Sequence, residues 1–203
     1  MTTLLFTLFG FFLGSLPFSV WVGRYGLRKD VRDYGDGNPG AFNVIRAGGL
    51  AWGGLAMVLD ITKGALPVGL AHYVVGIEGI ALVPIALAPV LGHAFSPFLN
   101  FKGGKAIATT GGIWIGLTLW TVPLVGMIAL VLWYLVLTSS GWAVMFTMGT
   151  ILAFLLAARA GSVLLAVWAL NLLLFIYKHR TELVHPPVFR IPPPLRGLLG
   201  VRE

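Results

Sequence analysis

The sequence predicts an all-α fold: a polytopic membrane helix bundle of about seven transmembrane segments, built as a single domain over residues 1–203. Three observations carry this. The mean hydropathy is +0.91 and only 10% of residues are charged, far from the balance of a soluble globule. Apolar runs approaching bilayer-spanning length recur along the whole chain. The Lys and Arg residues fall in alternate connections between those runs, the pattern that orients membrane helices.

The first run, residues 3–22, is interrupted only by Ser15, Pro17 and Ser19. It is long for a signal-peptide core and lacks both a preceding basic residue and a small-residue cleavage site, so it reads as a spanning helix. Further segments lie at 48–71, 80–92, 106–121, 124–138, 142–157 and 162–177. The last three breaks are "TVP" at 121–123, "SSG" at 139–141 and "ARAG" at 158–161, turn-forming stretches too short for any soluble domain. Several segments fall short of about 20 residues, which predicts tilting or re-entrant pieces packed inside protein. Residues 183–203 form a Pro-rich tail, and "HPPVFRIPPPLRG" reads as an extended surface arm. No internal repeat is evident, which weighs against an inverted-repeat transporter.

Of the 14 Lys and Arg residues, five lie in the first loop (Arg24, Arg28, Lys29, Arg32, Arg46), two in the third (Lys102, Lys105) and five in the tail (Lys178, Arg180, Arg190, Arg196, Arg202). With seven segments these regions share one face, Lys63 lies within the second segment, and only Arg159 falls opposite. The expected topology has the N terminus outside and the polar loops and C terminus cytoplasmic. The absence of cysteine removes disulfides, thiolate metal sites and cysteine nucleophiles. The pI near 10.2 comes without a basic stripe, so orientation in the membrane explains it better than a nucleic-acid partner does.

The chemistry-bearing stretches cluster on the basic face. In "GDGNPGAFNVIR", residues 35–46, Asn38 is a favoured N-cap and Pro39 a favoured first helical residue, predicting a short helix over 39–47 that ends at Gly48-Gly49. Asn43 and Arg46 would share a face of it, and the free N–H groups at its glycine-rich start suit an anion. A plain glycine-rich turn is the simpler account. The stretch 92–112 contains Lys102-Gly103-Gly104-Lys105 just before an apolar helix, a second anion site or a pair of snorkelling lysines. It is not a Walker loop, because the G-x4-G-K-[ST] spacing is missing. His93 precedes that loop, as a phosphate ligand, a general base near neutral pH, or a structural histidine. Asp60 and Lys63 stand three apart inside an apolar segment, as a buried ion pair or a ligand-binding pair. "YKHR", 177–180, closes the last segment, a position where such clusters usually anchor a helix at the membrane surface. Together these stretches suit a reaction between two phosphorylated partners.

Other chemistries fit less well. The residues five beyond His72, His93, His179 and His185 are Ile77, Phe98, Val184 and Arg190, which excludes an H-x4-D acyltransferase. Asp33, Asp36 and Gly37 read D-x-x-D-G, but Asp60 then stands alone, so a two-metal phosphotransferase lacks ligands. A small anion or phosphate transporter would want polar residues along a route through segments 106–157, which offer few ionisable ones.

Five motifs in order resemble those of the bacterial acyl-phosphate:glycerol-3-phosphate acyltransferases, the PlsY family. "LLFTLFGFFLGSLPFSV" is similar to the family's opening helix with its G-S-x-P-F, and "GDGNPGAFNVIR" to its G-S-G-N-x-G-A-T-N-x-x-R. "LDITKG", "GHAFSPFLNFKGGKAIAT" and "YKHR" resemble its D-x-x-K-G, its G-H-x-x-P-x-F-x-x-F-K-G-G-K-G-V-A-T and its Y-R-H-R. The resemblance implies transfer of a fatty acyl group from acyl phosphate to the 1-hydroxyl of glycerol 3-phosphate at a bacterial inner membrane, with no cofactor, no metal and no covalent intermediate. It implies a phosphate grip from Asn38, Gly40, Asn43, Arg46, Lys63, Lys102, Gly103, Gly104 and Lys105, and a reacting centre near Asp36, His93 and Lys105. Ser15, Asp60, His179 and Arg180 are expected to support the site. The departures are Asp36 for the family's Ser, Phe42 for its Thr and Ala106 for the Gly after the second motif lysine. Two expectations arise for Asp36: a general base for the acceptor hydroxyl, or a cradle retuned for another polyol phosphate.

Overall fold

The structure is a computed structural model and describes residues 1–190. The remainder of the Pro-rich arm, with Arg196 and Arg202, lies outside the described residues. No strand occurs among the described residues, which are helical apart from connecting loops and one isolated antiparallel bridge, Leu137 to Phe189. The helices are α1 (Thr2–Ser15), α2 (Phe18–Trp21), α3 (Ala41–Gly48), α4 (Leu50–Gly69), α5 (Leu82–Ala94), α6 (Ile107–Thr118), α7 (Thr121–Val136), α8 (Ser140–Ala157) and α9 (Ser162–Leu183).

The seven apolar segments each correspond to a helical stretch. Among the described residues, five stretches are long and apolar enough to cross a bilayer: Thr2–Leu27, Leu50–Val74, Gly79–Leu99, Ser140–Ala157 and Ser162–Leu183. The other two, α6 and α7, are shorter apolar helices. At 1.5 Å per residue, α6 is only about 18 Å long. α7 turns Leu124, Met127, Ile128, Val131, Leu132 and Leu135 outward, and its exposed face is entirely apolar along this stripe.

The first spanning stretch is broken in its middle, and the reason lies in "SLPFS". Pro17 has no N–H to give, so α1 stops at Ser15 and Leu16 swings to an extended conformation (ψ 122°). The released Leu16 carbonyl accepts the Phe18 N–H at 3.0 Å and, from across the fold, the Lys63 ammonium at 2.8 Å. Lys63 in turn pairs with Asp60 at 2.7 Å, and the other Asp60 oxygen accepts the Ser19 hydroxyl at 2.6 Å. Asp60, Lys63 and Ser19 are all at most 2% exposed. The pair three residues apart on α4 is therefore a buried ion pair that stitches the α1–α2 break to α4.

Glycines let the helices approach closely. A methyl group at Gly14 would collide with the Pro89 backbone of α5, and one at Gly92 with the Phe11 carbonyl of α1. Gly64 meets the Thr109 carbonyl and Gly112 the Ile61 carbonyl, so α4 and α6 touch backbone to backbone. The main core joins Val68, Val90, Ile113 and Trp114 to Met148, Ile151, Val167 and Phe175. A smaller cluster of Val20, Val31, Ala41, Val44 and Ala56 seats the first loop and α3 on α4.

One local expectation is corrected. α3 starts at Ala41, with Gly40 as its N-cap and no side-chain cap, rather than at Asn38-Pro39. The Asn38 side chain is instead engaged across the fold, by the second glycine-rich loop. The C-terminal end falls where expected, with Gly49 at φ 85°. The described part of the Pro-rich arm is extended and exposed, as expected, and is tied to the bundle: Thr138 and Arg190 donate backbone bonds to Val188 and Val136, and Trp142 Nε1 donates to the His185 carbonyl at 2.7 Å.

Lys63→Met should lower unfolding stability in detergent by about 3–5 kcal/mol, because it leaves Asp60 buried and unpaired and the Leu16 carbonyl without its ammonium donor. Thermal or denaturant unfolding checks this; a change under about 1 kcal/mol, the range of an exposed pair, would contradict the stitching role.

Candidate active site

At one end of the bundle the 34–40 loop, the 102–106 loop and the last turn of α9 converge. The 34–40 loop folds around the Asp36 carboxylate. One Asp36 oxygen accepts the Asn38 N–H at 3.2 Å and the Asn43 amide at 3.0 Å, and Asn43 also donates to the Asn38 carbonyl. Arg46 donates to the Asn43 oxygen at 3.0 Å, so the predicted Asn43–Arg46 face is present. Gly35, at φ 61°, lies against the Arg46 guanidinium, where any side chain would collide.

The second loop is stitched to the end of α5. Gly104 N–H donates to the His93 carbonyl at 3.2 Å, and a methyl group on Gly103 or Gly104 would strike the His93 carbonyl or its Nε2. Glycine is needed at these positions because His93 stands directly beneath them. Lys178 of α9 tightens the seam, donating to Gly103 O at 2.8 Å and Ala94 O at 3.0 Å. The loops are joined where Lys105 N–H donates to the Asn38 side-chain oxygen at 3.0 Å.

Lys105 is the hub. Its ammonium donates to Asp36 at 2.8 Å and to Glu182 at 2.5 Å. The second Glu182 oxygen accepts the Ser140 hydroxyl and the Gly141 N–H, both at 2.6 Å, at the start of α8. His179 Nδ1 lies 3.2 Å from Glu182. Burial pushes the Asp36 carboxyl up, but the Lys105 ammonium, with the Asn38 N–H and Asn43 amide, outweighs it and holds Asp36 below the usual carboxylate range. Burial pushes Lys105 down, and its two carboxylate partners outweigh that, holding it above the usual lysine value. Asp36 is thus a weaker base than a free aspartate.

Two cavities meet at this hub. One, of about 390 Å³, is apolar and runs between the helices along Ile61, Trp114, Leu130, Met148, Ile151 and Phe175. The other, of about 330 Å³, is polar and bordered by Asp36, Lys102, Gly103, Tyr177, Lys178 and Arg180. Asn38 and Lys105 line both.

Of the residues singled out in the sequence, Gly40, Asp60 and His93 border the apolar cavity and Asp36, Lys102, Gly103 and Arg180 the polar one. Ser15, Asn43, Arg46, Lys63, Gly104 and His179 line neither. Apart from the exposed Arg46, they stand one layer back. Ser15 accepts the Ser96 hydroxyl on its carbonyl at 2.6 Å, Lys63 holds Asp60, and His93 Nδ1 sits 3.8 Å from Asp60. Arg180 stacks on Tyr177, 4.5 Å from the ring centroid. Sequence reasoning missed Glu182, Ser140 and the loop-clamping use of Lys178. The one local signal was the His179–Glu182 spacing of three on the last helix.

The family model described as glycerol-3-phosphate acyltransferase matches residues 4–185. The chain belongs to the glycerol-3-phosphate acyltransferase family. A relative named glycerol-3-phosphate acyltransferase in Enterococcus faecalis is 36% identical over 191 residues, covering 90% of this chain and 88% of the relative. One of the same name in Desulfovibrio desulfuricans is 34% identical, covering 91% and 81%. A crystal structure of PlsY (YgiH), an integral membrane glycerol 3-phosphate acyltransferase in its glycerol 3-phosphate form, superposes with a TM-score of 0.81 at 30% identity, covering 100% of this chain and 95% of that one. The lysophosphatidic acid form of PlsY gives 0.80 at 28% identity. With its apolar helices and this fold, the protein is an integral, multi-pass membrane acyltransferase.

The ion bridge has a pH window set by these shifts. Asp36, depressed in the folded state, stabilises above its unfolded value near 4 and stops doing so as pH falls through its folded value; Lys105, raised, stabilises below about 10.4 and stops above its folded value. Asp36→Asn should therefore lower the melting temperature in detergent at pH 7 by more than at pH 3. An equal loss at both pH values would exclude an ionised Asp36–Lys105 contact as the cause.

Proposed function

We propose that the protein transfers the acyl group of an acyl phosphate to the 1-hydroxyl of glycerol 3-phosphate, releasing phosphate and 1-acylglycerol 3-phosphate. The observation that carries this reading is the meeting of an apolar and a polar cavity at Asn38 and Lys105. An acyl chain fits the first, where each buried methylene contributes about 0.8 kcal/mol. Phosphate groups fit the second, beside Lys102, Lys105 and Arg180. The PlsY forms with glycerol 3-phosphate and lysophosphatidic acid, and the names of the relatives, support the same acceptor and product.

In this reading the acceptor oxygen attacks the acyl carbonyl carbon, and the developing oxyanion lies within reach of the Lys105 ammonium and backbone N–H groups. The carbon–oxygen bond to phosphate then breaks. The departing phosphate leaves the acyl phosphate dianion as a trianion and takes up the proton lost by the hydroxyl, so the products are 1-acylglycerol 3-phosphate and hydrogen phosphate. Acyl phosphate is already activated, so positioning supplies most of the acceleration and no protein nucleophile is needed. Asp36, engaged by Lys105, Asn38 and Asn43, orders the loop in this scheme rather than accepting the proton. His93 and Asp60 support the loop from below, and Arg46 and Asn43 hold the first turn of α3 for phosphate. The concentration of Lys and Arg in three regions supports a topology with the N terminus outside and these loops cytoplasmic, in a bacterial inner membrane.

Phosphate release from palmitoyl phosphate, followed on purified protein with and without glycerol 3-phosphate, tests the reading. Release should depend on the acceptor, and Lys105→Ala should lower kcat/KM by about 10²–10³-fold. Folded protein releasing no phosphate with glycerol 3-phosphate, but active with another polyol phosphate, would transfer the assignment to that acceptor.

A further inference from the structure

We propose that Glu182, acting with Asp36, is an internal counter-ion for Lys105 that competes with phosphate for this ammonium and so sets how tightly the polar cavity holds a phosphate group. The idea rests on the proposed reaction only for its consequence, the release of phosphate after acyl transfer.

The geometry carries it. A lysine ammonium has three donors, and two of those on Lys105 point at carboxylates, 2.8 and 2.5 Å away. Both carboxylates have other partners that stay when Lys105 leaves. Glu182 keeps the Ser140 hydroxyl and the Gly141 N–H, at the N terminus of the 18-residue helix α8, where the helix dipole favours a negative charge. Asp36 keeps the Asn38 N–H and the Asn43 amide. Glu182 can therefore release the ammonium with His179 Nδ1 still beside the freed oxygen, and Asp36, 46% exposed, can turn its freed oxygen to water, so each can yield the ammonium to an entering phosphate and take it back. Asp36 borders the polar cavity, and Glu182 reaches its edge through Lys105. A phosphate bound to Lys105 would then lie near two fixed negative charges, with Lys102 and Arg180 also bordering the cavity. The repulsion weakens retention of the phosphate and favours its departure, since the carboxylates close on Lys105 as it leaves.

Glutamine at 182 keeps the length and a carbonyl oxygen able to accept from Gly141 and Ser140, but removes the charge. In calorimetric titration of the full chain in detergent with inorganic phosphate and no acyl donor, Glu182→Gln should bind phosphate about tenfold more tightly than wild type, an effect sized for a partly exposed charge pair. Inhibition of acyl transfer by inorganic phosphate should strengthen by the same factor. Glu78→Gln, at the opposite end of α5, serves as the control for net charge and should leave phosphate binding unchanged. Adding Lys105→Met to Glu182→Gln should abolish the gain. Phosphate binding that is unchanged, weaker or undetectable in folded Glu182→Gln would overturn the proposal. If that variant does not fold, Asp36→Asn, at a half-exposed carboxylate, must give the tightening instead, and its failure would be equally decisive. Tightened phosphate binding without acyl transfer would sink the reaction and keep the counter-ion role; acyl transfer with unaltered phosphate affinity would do the reverse.

Discussion

A helix broken inside a membrane must find a donor for every carbonyl it releases, and the rest of this structure is arranged around how that is met at Leu16. The Lys63 ammonium reaches the freed carbonyl, Asp60 neutralises the ammonium, and Ser19, just past the break, occupies the remaining Asp60 oxygen. No member of the set is tolerable alone in a low-dielectric interior. The set joins the first spanning stretch to α4, and His93, 3.8 Å from Asp60, extends it toward α5. The floor beneath the functional loops is thus a charged cluster that costs a great deal to open.

On that floor the glycine-rich loops have little freedom. Gly103 and Gly104 lie against His93, and Gly35 lies against Arg46, so these glycines serve close contact with their own protein. Asn38 spans the seam between the loops by accepting the Lys105 N–H. Each loop is thereby held by side chains from elsewhere in the chain, so its shape is fixed before any ligand enters. The Lys105 ammonium stands at the seam, bracketed by Asp36 and Glu182.

The two cavities differ in the character of their walls. α6, α7 and α8 supply apolar walls, and backbone contact of α6 with α4 through Gly64 and Gly112 sets how far that wall stands from Ile61. The first loop, the KGGK loop and α9 supply the polar chamber. Glu182 links the two, since one of its oxygens holds the start of α8 and the other holds Lys105.

By itself the sequence determined the features that local pattern sets: seven apolar helical stretches in order, the gathering of basic residues into three regions, the short helix closed by Gly48-Gly49, and the Asn43–Arg46 face. Hydropathy, helix period and turn chemistry act over a few residues, so these are legible without coordinates. The five motifs also named the residues that meet at one end of the bundle. What the tertiary structure decided are the contacts between residues far apart in the chain. Asn38 looked like a helix cap and is instead the acceptor for Lys105, 67 residues away. Lys63 read as either half of a buried pair with Asp60 or a phosphate ligand, and its contact with the Leu16 carbonyl, 47 residues earlier, is one that no local pattern shows. Glu182 carried no signal beyond its spacing to His179, because its partner Lys105 is 77 residues away and its role exists only once α8, α9 and the KGGK loop have packed. Pairing across such distances depends on how the helices pack, and in this bundle the close contacts are made through glycines, whose partners no local pattern identifies.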